Sequence, residues 1–497
     1  MKKTAVAVCM LMLGLLLSLS AAAVPYESYV YERQTNAALK APAAVVPQGV
    51  ISGDTLETEP WNNPSDIAVD EKGRIYVLDA GNGRVLCIDT VLLQAVFILH
   101  GGGGRAVDFT GAQGLFVNND YLYIADTENG RILRYELLRL AEDADTAEPR
   151  IIQPYDLLTD TEKKPFRPLK LAVDTMDRLF IVAEGVYEGM VELADDGKFL
   201  AYAGANRVQA DFFEQIWRLF ATKKQWESMQ KFVPVEFSNI CMDKSNFIFT
   251  TARGKSGNSQ AVRRLNLNGT DVLKPQEDDV QLGDPVMSSQ TLTRTKQAYF
   301  IDVAVGPYEL FAALDQTTGR VFVYDYRCTL LYEFGGLGSQ IGNFTSPCAM
   351  VWLPDNRFAV LDGRTADITV FEHTEYGKKL LLTMEYESRG EYEKAAEAYR
   401  EILALNFNSE IAYVGVGKQL LRQERFKEAM TYFKLGNDRR YYSKAYEQYR
   451  QERLAAIIPV LLMGIGGAVV LSAVIILFKR IRRLRENIRN IRKMSRP

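Results

Sequence analysis

Four polar residues stand at one equivalent place in a recurring pattern: Asp66 in "PSDIAVD", Lys170 in "LKLAVD", Asn239 in "SNICMD" and Asp302 in "IDVAV". Gly114 in "GLFV" and Ala349 in "CAMVW" hold the same place without a polar side chain. Two carboxylates, an amide and an ammonium around one cavity can hold a polar small molecule, such as a sugar or sugar acid, through hydrogen bonds. Asp66, Asn239 and Asp302 alone form an oxygen donor set suited to a hard cation such as Ca²⁺. Lys170 opposes that use, because a fixed ammonium repels a metal ion. The simplest alternative is that these groups only solvate a water-filled channel. Other chemistry is poorly supplied. The chain has two histidines, His100 and His373, and neither has a second histidine nearby in sequence. Cys87, Cys241, Cys328 and Cys348 form no C-x-x-C pair, which removes the usual zinc and dithiol signatures. "GGGG" at 101–104 lacks the G-K-[ST] of a phosphate loop and reads as a connection between strands.

The elements that must position these residues are repeated. "PSDIAVDEKGRIYVLDAGNGRVLCID" (64–89) reads as strand, tight turn, strand, polar loop, strand, from its β-branched runs and its Asp/Gly turns. The order returns in "GLFVNNDYLYIADTENGRILRY", "LKLAVDTMDRLFIVAEG", "SNICMDKSNFIFTTARG", "IDVAVGPYELFAALDQTTGRVFVYD" and "CAMVWLPDNRFAVLDGRTADITVF". Six such units, mostly about 45–65 residues apart, predict a β-propeller. The first unit resembles an NHL repeat, and residues 45–372 resemble a six-bladed propeller of that type. Val45–Ser52 is expected to complete the last blade and so leave no open sheet edge. Three units carry Asp followed five residues later by Arg: Asp79/Arg84, Asp126/Arg131 and Asp315/Arg320. A phrase repeated around a ring is scaffold, since catalytic groups converge asymmetrically on one atom. The expected roles are an Asp accepting backbone N–H groups of the next loop and an Arg paired with a carboxylate of the same or next blade. Buried free thiols are expected, because the propeller keeps the four cysteines beyond disulfide reach.

The polar ring faintly resembles the acidic and amide metal set of gluconolactonase-like propellers, which implies Ca²⁺ under an enzymatic reading. Amidating lyases share the fold but hold zinc with several histidines, which this chain lacks.

Between the third and fourth units, Phe212, Phe213, Ile216, Trp217 and Phe220 recur at helical spacing, predicting an amphipathic insertion over about 206–232. It either packs on the propeller or presents Trp217 and Trp226 to a partner. After residue 373 the periodicity becomes helical. Ala395 and Ala429, and likewise Tyr399 and Phe433, are 34 residues apart, so residues 376–453 resemble tetratricopeptide repeats. That resemblance implies a peptide or protein groove in which Tyr399 and Phe433 contact a partner. A rigid spacer is the alternative.

The two ends add an address. Residues 1–23 have Lys2 and Lys3, an apolar run and "AAA", as in a secretory signal peptide. Residues 454–478 are apolar and uncharged, long enough to span a bilayer. The tail 479–497 has nine Lys or Arg and one Glu, which places it in the cytoplasm and the preceding domains outside. The whole chain carries −3, the leader +2 and the tail +8, leaving −13 for residues 24–478. That balance excludes a nucleic-acid partner and disfavours an anionic lipid surface.

The expectation is a mainly β chain: a six-bladed propeller, helical repeats and one membrane helix. The same order of modules occurs in membrane-anchored NHL-repeat proteins of Gram-positive bacteria. This resemblance implies a non-enzymatic scaffold on the cell membrane, beside subunits of a carbohydrate or other solute transporter, with no cofactor. A metal-dependent lactonase-like enzyme and a structural envelope protein are the alternatives.

Overall fold

The computed structural model describes residues 24–494 except 34, 36, 102–106, 119, 156–164, 205–235, 254–261, 274–281 and 285–297. The signal-peptide expectation (1–23) and the helical insertion with Trp217 and Trp226 therefore lie outside the described residues.

Six antiparallel sheets follow in chain order, with inner strands Asp66–Val69, Gly114–Val117, Pro168–Val173, Glu236–Met242, Phe300–Val305 and Pro347–Trp352. Each inner strand touches the inner strands before and after it, and the sixth touches the first, so the sheets close into a six-bladed propeller. The fourth blade has three strands among the described residues and the others have four. The sixth is completed by Val45–Ser52, which pairs antiparallel with Asp367–His373. This late pairing ties the two ends of the ring together.

Alternation along each strand sends side chains to both neighbouring blades. The hydrophobic cores consequently lie between blades. Ile67, Ile75 and Val77 of the first blade pack with Ala349, Val351 and Leu361 of the sixth. Phe334 of the fifth blade meets Phe358 and Phe371 of the sixth at ring-centroid distances of 5.0 and 4.8 Å.

Turns between first and second strands are fastened by an aspartate. The Asp70 carboxylate accepts from Lys72 N (3.0 Å) and Arg74 N (2.9 Å), Asp174 from Met176 N and Arg178 N, and Asp243 from Ser245 N and Phe247 N. This device survives in blades whose sequences diverge most. The Asp/Arg phrase behaves as expected twice within its own blade: Arg84 Nε lies 2.7 Å from Asp79 and Arg131 Nε 2.7 Å from Asp126. Asp79 also accepts from Asn62 N (2.6 Å), in the loop before the blade and not the one after it. In the third pair Asp315 takes the backbone N–H groups of Tyr299 and Thr317, while Arg320 faces other carboxylates, Glu333 of its own blade (3.9 Å) and Asp284 (3.0 Å), and donates to the Tyr29 hydroxyl (2.6 Å). Tyr29 and Tyr31, on an N-terminal strand paired with Ala38–Lys40, both donate to Asp284 at 2.6 Å. That hairpin straps the outer strand of the fifth blade, and Arg320 serves the strap.

The chain divides into two compact units, Met1–Gly390 with Leu405–Asn408, and Glu391–Ala404 with Ser409–Pro497. The first unit ends with a helix, Glu375–Ser388, whose N-cap Thr374 hydroxyl accepts from Gly377 N at 3.2 Å. In the second, helices Tyr392–Leu405, Glu410–Arg422 and Phe426–Leu435 lead into one 56-residue helix, Arg439–Met494. That last helix contains a stretch long and apolar enough to cross a membrane, with Pro459 near its start.

Candidate functional site at the centre of the propeller

The six inner-strand positions recognised in sequence are structurally equivalent. Asp66, Gly114, Lys170, Asn239, Asp302 and Ala349 pair across to Leu78, Ala125, Val182, Thr251, Leu314 and Leu361. Each partner stands at the same place near the end of a second strand. In four blades the register slips by one residue just before the ring position, between Pro168 and Lys170, Phe237 and Asn239, Phe300 and Asp302, and Pro347 and Ala349. A bulge of this kind bends the strand and re-aims the next side chain. Nothing in the sequence periodicity announces it.

The ring does not stand open as four solvated groups. Asp66, Asn239 and Asp302 are buried, and they form two sets. Lys170 Nζ reaches Asp66 Oδ1 at 2.6 Å, from the third blade to the first. It can do so because the second blade contributes Gly114, where a Cβ would lie 2.4 Å from Leu169 O and 3.0 Å from Lys170 Cα. The other Asp66 oxygen accepts from Leu115 N of the second blade at 2.7 Å. In the second set, Asn239 Nδ2 donates to Asp302 Oδ1 at 2.5 Å, and Asp302 Oδ2 accepts from Met350 N of the sixth blade at 2.6 Å. Asp302 Oδ1 also takes Val303 N at 2.7 Å.

Each carboxylate therefore bridges its own inner strand to the next. Burial pushes Asp302 up to about 7, with Asp66 adding to the shift and Lys170 opposing it. Burial also raises Asp66, against the pull of the Lys170 ammonium and the Leu115 N–H. Beyond Asp66, the ammonium meets no acceptor among the described residues, which leaves donor capacity for a ligand or water oxygen. The Cys348 thiol, at the neighbouring bulge, is pushed up to about 12 by burial and is a poor nucleophile. The four cysteines among the described residues, Cys87, Cys241, Cys328 and Cys348, are free.

For a metal, the intended trio is split. Asp66 is neutralised by Lys170, and each Asp302 oxygen already holds a backbone N–H. No cluster of three His, Cys, Asp or Glu suited to a metal occurs among the described residues.

Tyr399 and Phe433, the expected partner contacts, lie in the second unit. Both side chains are buried inside the helical unit. A Cβ at Gly415 would lie 2.1 Å from the Tyr399 ring, and one at Gly417 2.7 Å from the Phe433 ring. Their 34-residue spacing marks a packing position, where the aromatic ring fills the space a missing side chain leaves on the facing helix.

Sequence reasoning also passed over a cleft of about 630 Å³ between the turns of the last two blades and helix Glu375–Ser388, lined by Tyr308, Arg357, His373, Lys378, Leu382 and Glu385. Burial lowers His373 to about 4, and its ring Nε2 lies 2.7 Å from the Tyr332 hydroxyl.

The NHL repeat family model matches residues 62–88, which span the loop before the first blade and its first three strands. No curated protein sequence matches the chain. Among solved structures, a streptogramin B lyase is similar over 66% of this chain and 97% of its own, at 10% identity and TM-score 0.40. Virginiamycin B lyase of Staphylococcus aureus is similar over 66% and 100%, at 10% identity and TM-score 0.39. The Malassezia sympodialis allergen Mala s 1 is similar over 62% and 93%, at 12% identity and TM-score 0.41. At those values the likenesses say nothing about activity. The match and the closed ring of sheets agree on one point: this chain carries an NHL repeat in the first blade of a six-bladed β-propeller.

Proposed function

We propose that the protein is a non-enzymatic binding and scaffold protein of the cell membrane, held by its C-terminal apolar helix with the propeller outside, and accessory to a solute transporter. The observation that carries this reading is the internal use of the central polar ring. Asp66 and Asp302 spend their oxygens on Leu115 N, Lys170, Val303 N, Asn239 and Met350 N. Groups so committed brace blades and are not available to attack or protonate a substrate. What remains for function is surface: propeller loops and a unit of helix pairs, read here as tetratricopeptide-like. The nine basic residues after Phe478 support the outward orientation of the propeller. The unused donor capacity of Lys170 supports a small polar, oxygen-rich ligand at the ring. A lactonase-like Ca²⁺ enzyme is the weaker reading, because the Lys170 ammonium sits 2.6 Å from one of its three ligands.

The test is a crosslinked pull-down of full-length protein from its native membranes, read by mass spectrometry. Transporter subunits recovered with the full chain, and lost on removal of residues 391–438 from a variant whose propeller still melts cooperatively, are the expected result. A preparation free of specific partners, together with calcium-dependent lactone hydrolysis lost in Asp302→Ala, would overturn it.

A further inference from the structure

The cleft beside helix Glu375–Ser388 lies wholly within the first compact unit, at turns that follow the inner strands, and none of the ring residues lines it. Its volume of about 630 Å³ falls within the roughly 300–1,000 Å³ of small-molecule sites. One wall is built at a conformational cost. In the turns after the inner strands the left-handed residue is Gly73 (φ 81°) in the first blade, Asp177 (φ 59°) in the third, Asn246 (φ 62°) in the fourth and Asn356 (φ 69°) in the sixth. Gly, Asn and Asp are the residues that tolerate this region. The fifth blade instead turns through Tyr308 (φ 58°) and Glu309 (φ 59°), closed by Leu310 N donating to Pro307 O at 3.0 Å. Two successive left-handed residues make a turn that Asn-Gly favours. An aromatic residue there is a costly choice that the turn itself does not need, and strain of this kind collects at binding sites. Tyr308 lines the cleft, and its hydroxyl faces the Glu385 carboxylate of the helix.

The charges around the cleft cancel in pairs. Arg357 Nε lies 2.8 Å from Asp355, Lys378 Nζ 3.3 Å from Glu372, and Arg389 2.7 Å from Glu385. An anion or a cation would therefore have to displace a partner already in place. No cluster of acids suited to a metal occurs among the described residues. A wholly apolar ligand would strip the pairs of water and give nothing back. What the pairs leave over is hydrogen-bonding capacity of both kinds. Arg357 also donates to Gln48 Oε1 (3.2 Å) and Thr90 Oγ1 (3.3 Å), which leaves one N–H on each terminal nitrogen among the described contacts. The Lys378 ammonium has donors beyond Glu372, and the carboxylates keep lone pairs. Hydroxyl groups answer both kinds without bringing charge, and the C–H face of a pyranose packs on an aromatic ring. We propose that this cleft binds an uncharged saccharide, with the Tyr308 ring as platform and Arg357, Lys378 and Glu385 as hydrogen-bonding partners. The site is independent of any ligand at the central ring.

The experiment titrates purified full-length protein, in lipid nanodiscs free of sugar detergents, by calorimetry with uncharged trisaccharides of glucose, mannose, galactose and xylose. Trigalacturonate, trialanine and trilysine are the charged and peptide comparisons. The expected result is saturable binding of at least one uncharged trisaccharide, weakened about tenfold or more in Tyr308→Asn. That variant places in the turn a residue that the fourth and sixth blades use at their left-handed position, and it should melt no lower than the parent. If it does melt lower, Lys378→Ala, at a side chain 63% exposed, takes its place with the same loss expected. Failure of every uncharged trisaccharide to bind overturns the proposal. Binding of trigalacturonate or a tripeptide alone also overturns it. Saccharide binding that is equal in the parent and the well-folded variant overturns it as well, and moves the saccharide to another site.

Discussion

At the residue scale, charge is buried throughout this propeller and almost always paired. Asp79 and Arg84 are both buried and meet at 2.7 Å, and Arg84 also donates to Glu59 O at 2.7 Å. Removing one partner strands the other. Asp79→Ala should therefore lower stability by about 3–5 kcal/mol, checked by denaturant unfolding followed by tryptophan fluorescence. Protons provide a second handle. Asp302 is raised to about 7 in the folded protein, above its ordinary value in the unfolded chain, so the folded state binds more protons in between. Its contribution is full in acid and is lost as pH rises toward about 7. His373 has the opposite sign: lowered to about 4 when folded, it costs stability as pH falls below its unfolded value. The two slopes oppose each other over the same range, so His373→Phe should make the melting temperature fall more steeply as pH rises from about 4 to about 7, and Asp302→Asn should make it fall less or rise.

At the scale of elements, closure and close packing are separable. The strand Val45–Ser52 pairs along seven residues of Asp367–His373, and Val50 lies opposite Thr369. Proline at Val50 removes one donor and disfavours the strand, so Val50→Pro should lower the melting temperature of the propeller and raise exchange of backbone amides along Asp367–His373 by at least tenfold. In the helical unit, the tight spot is Gly415 beneath the Tyr399 ring. Gly415→Ala should destabilise that unit by about 1–3 kcal/mol through overpacking, whereas Gly49→Ala, with nothing within 4 Å, should not, as calorimetry of the two variants would show.

At the scale of the whole molecule, the consequential feature is the long helix Arg439–Met494, which joins the helical unit to the apolar stretch without a break in secondary structure. Read as a membrane span, it predicts that protein lacking residues 454–478 is recovered in the soluble fraction of disrupted cells. It also predicts that protease added outside intact cells digests the propeller loops and spares the basic tail, detected by an epitope after Pro497. Digestion of the tail instead would reverse the orientation.

Strand–turn–strand units, and the number of blades, were legible in the chain because period-two patterning and Asp/Gly turns are local properties, repeated six times. The equivalence of Asp66, Lys170, Asn239 and Asp302 was legible for the same reason. Their use was not. Whether Lys170 solvates a channel or crosses to Asp66 depends on Gly114 leaving room in an intervening blade, and on a one-residue slip in each of four inner strands. The aromatic positions Tyr399 and Phe433 read equally well as a binding face or a core, because helical spacing fixes a face and not what covers it. Arg320 has a pairing partner five residues before it in sequence, yet it serves Asp284 and Tyr29, 36 and 291 residues away in the chain. By itself, then, the sequence determined the strand–turn–strand units of the blades and their number. Tertiary structure alone decided which polar groups neutralise one another, since that depends on distances across blades that no local pattern encodes.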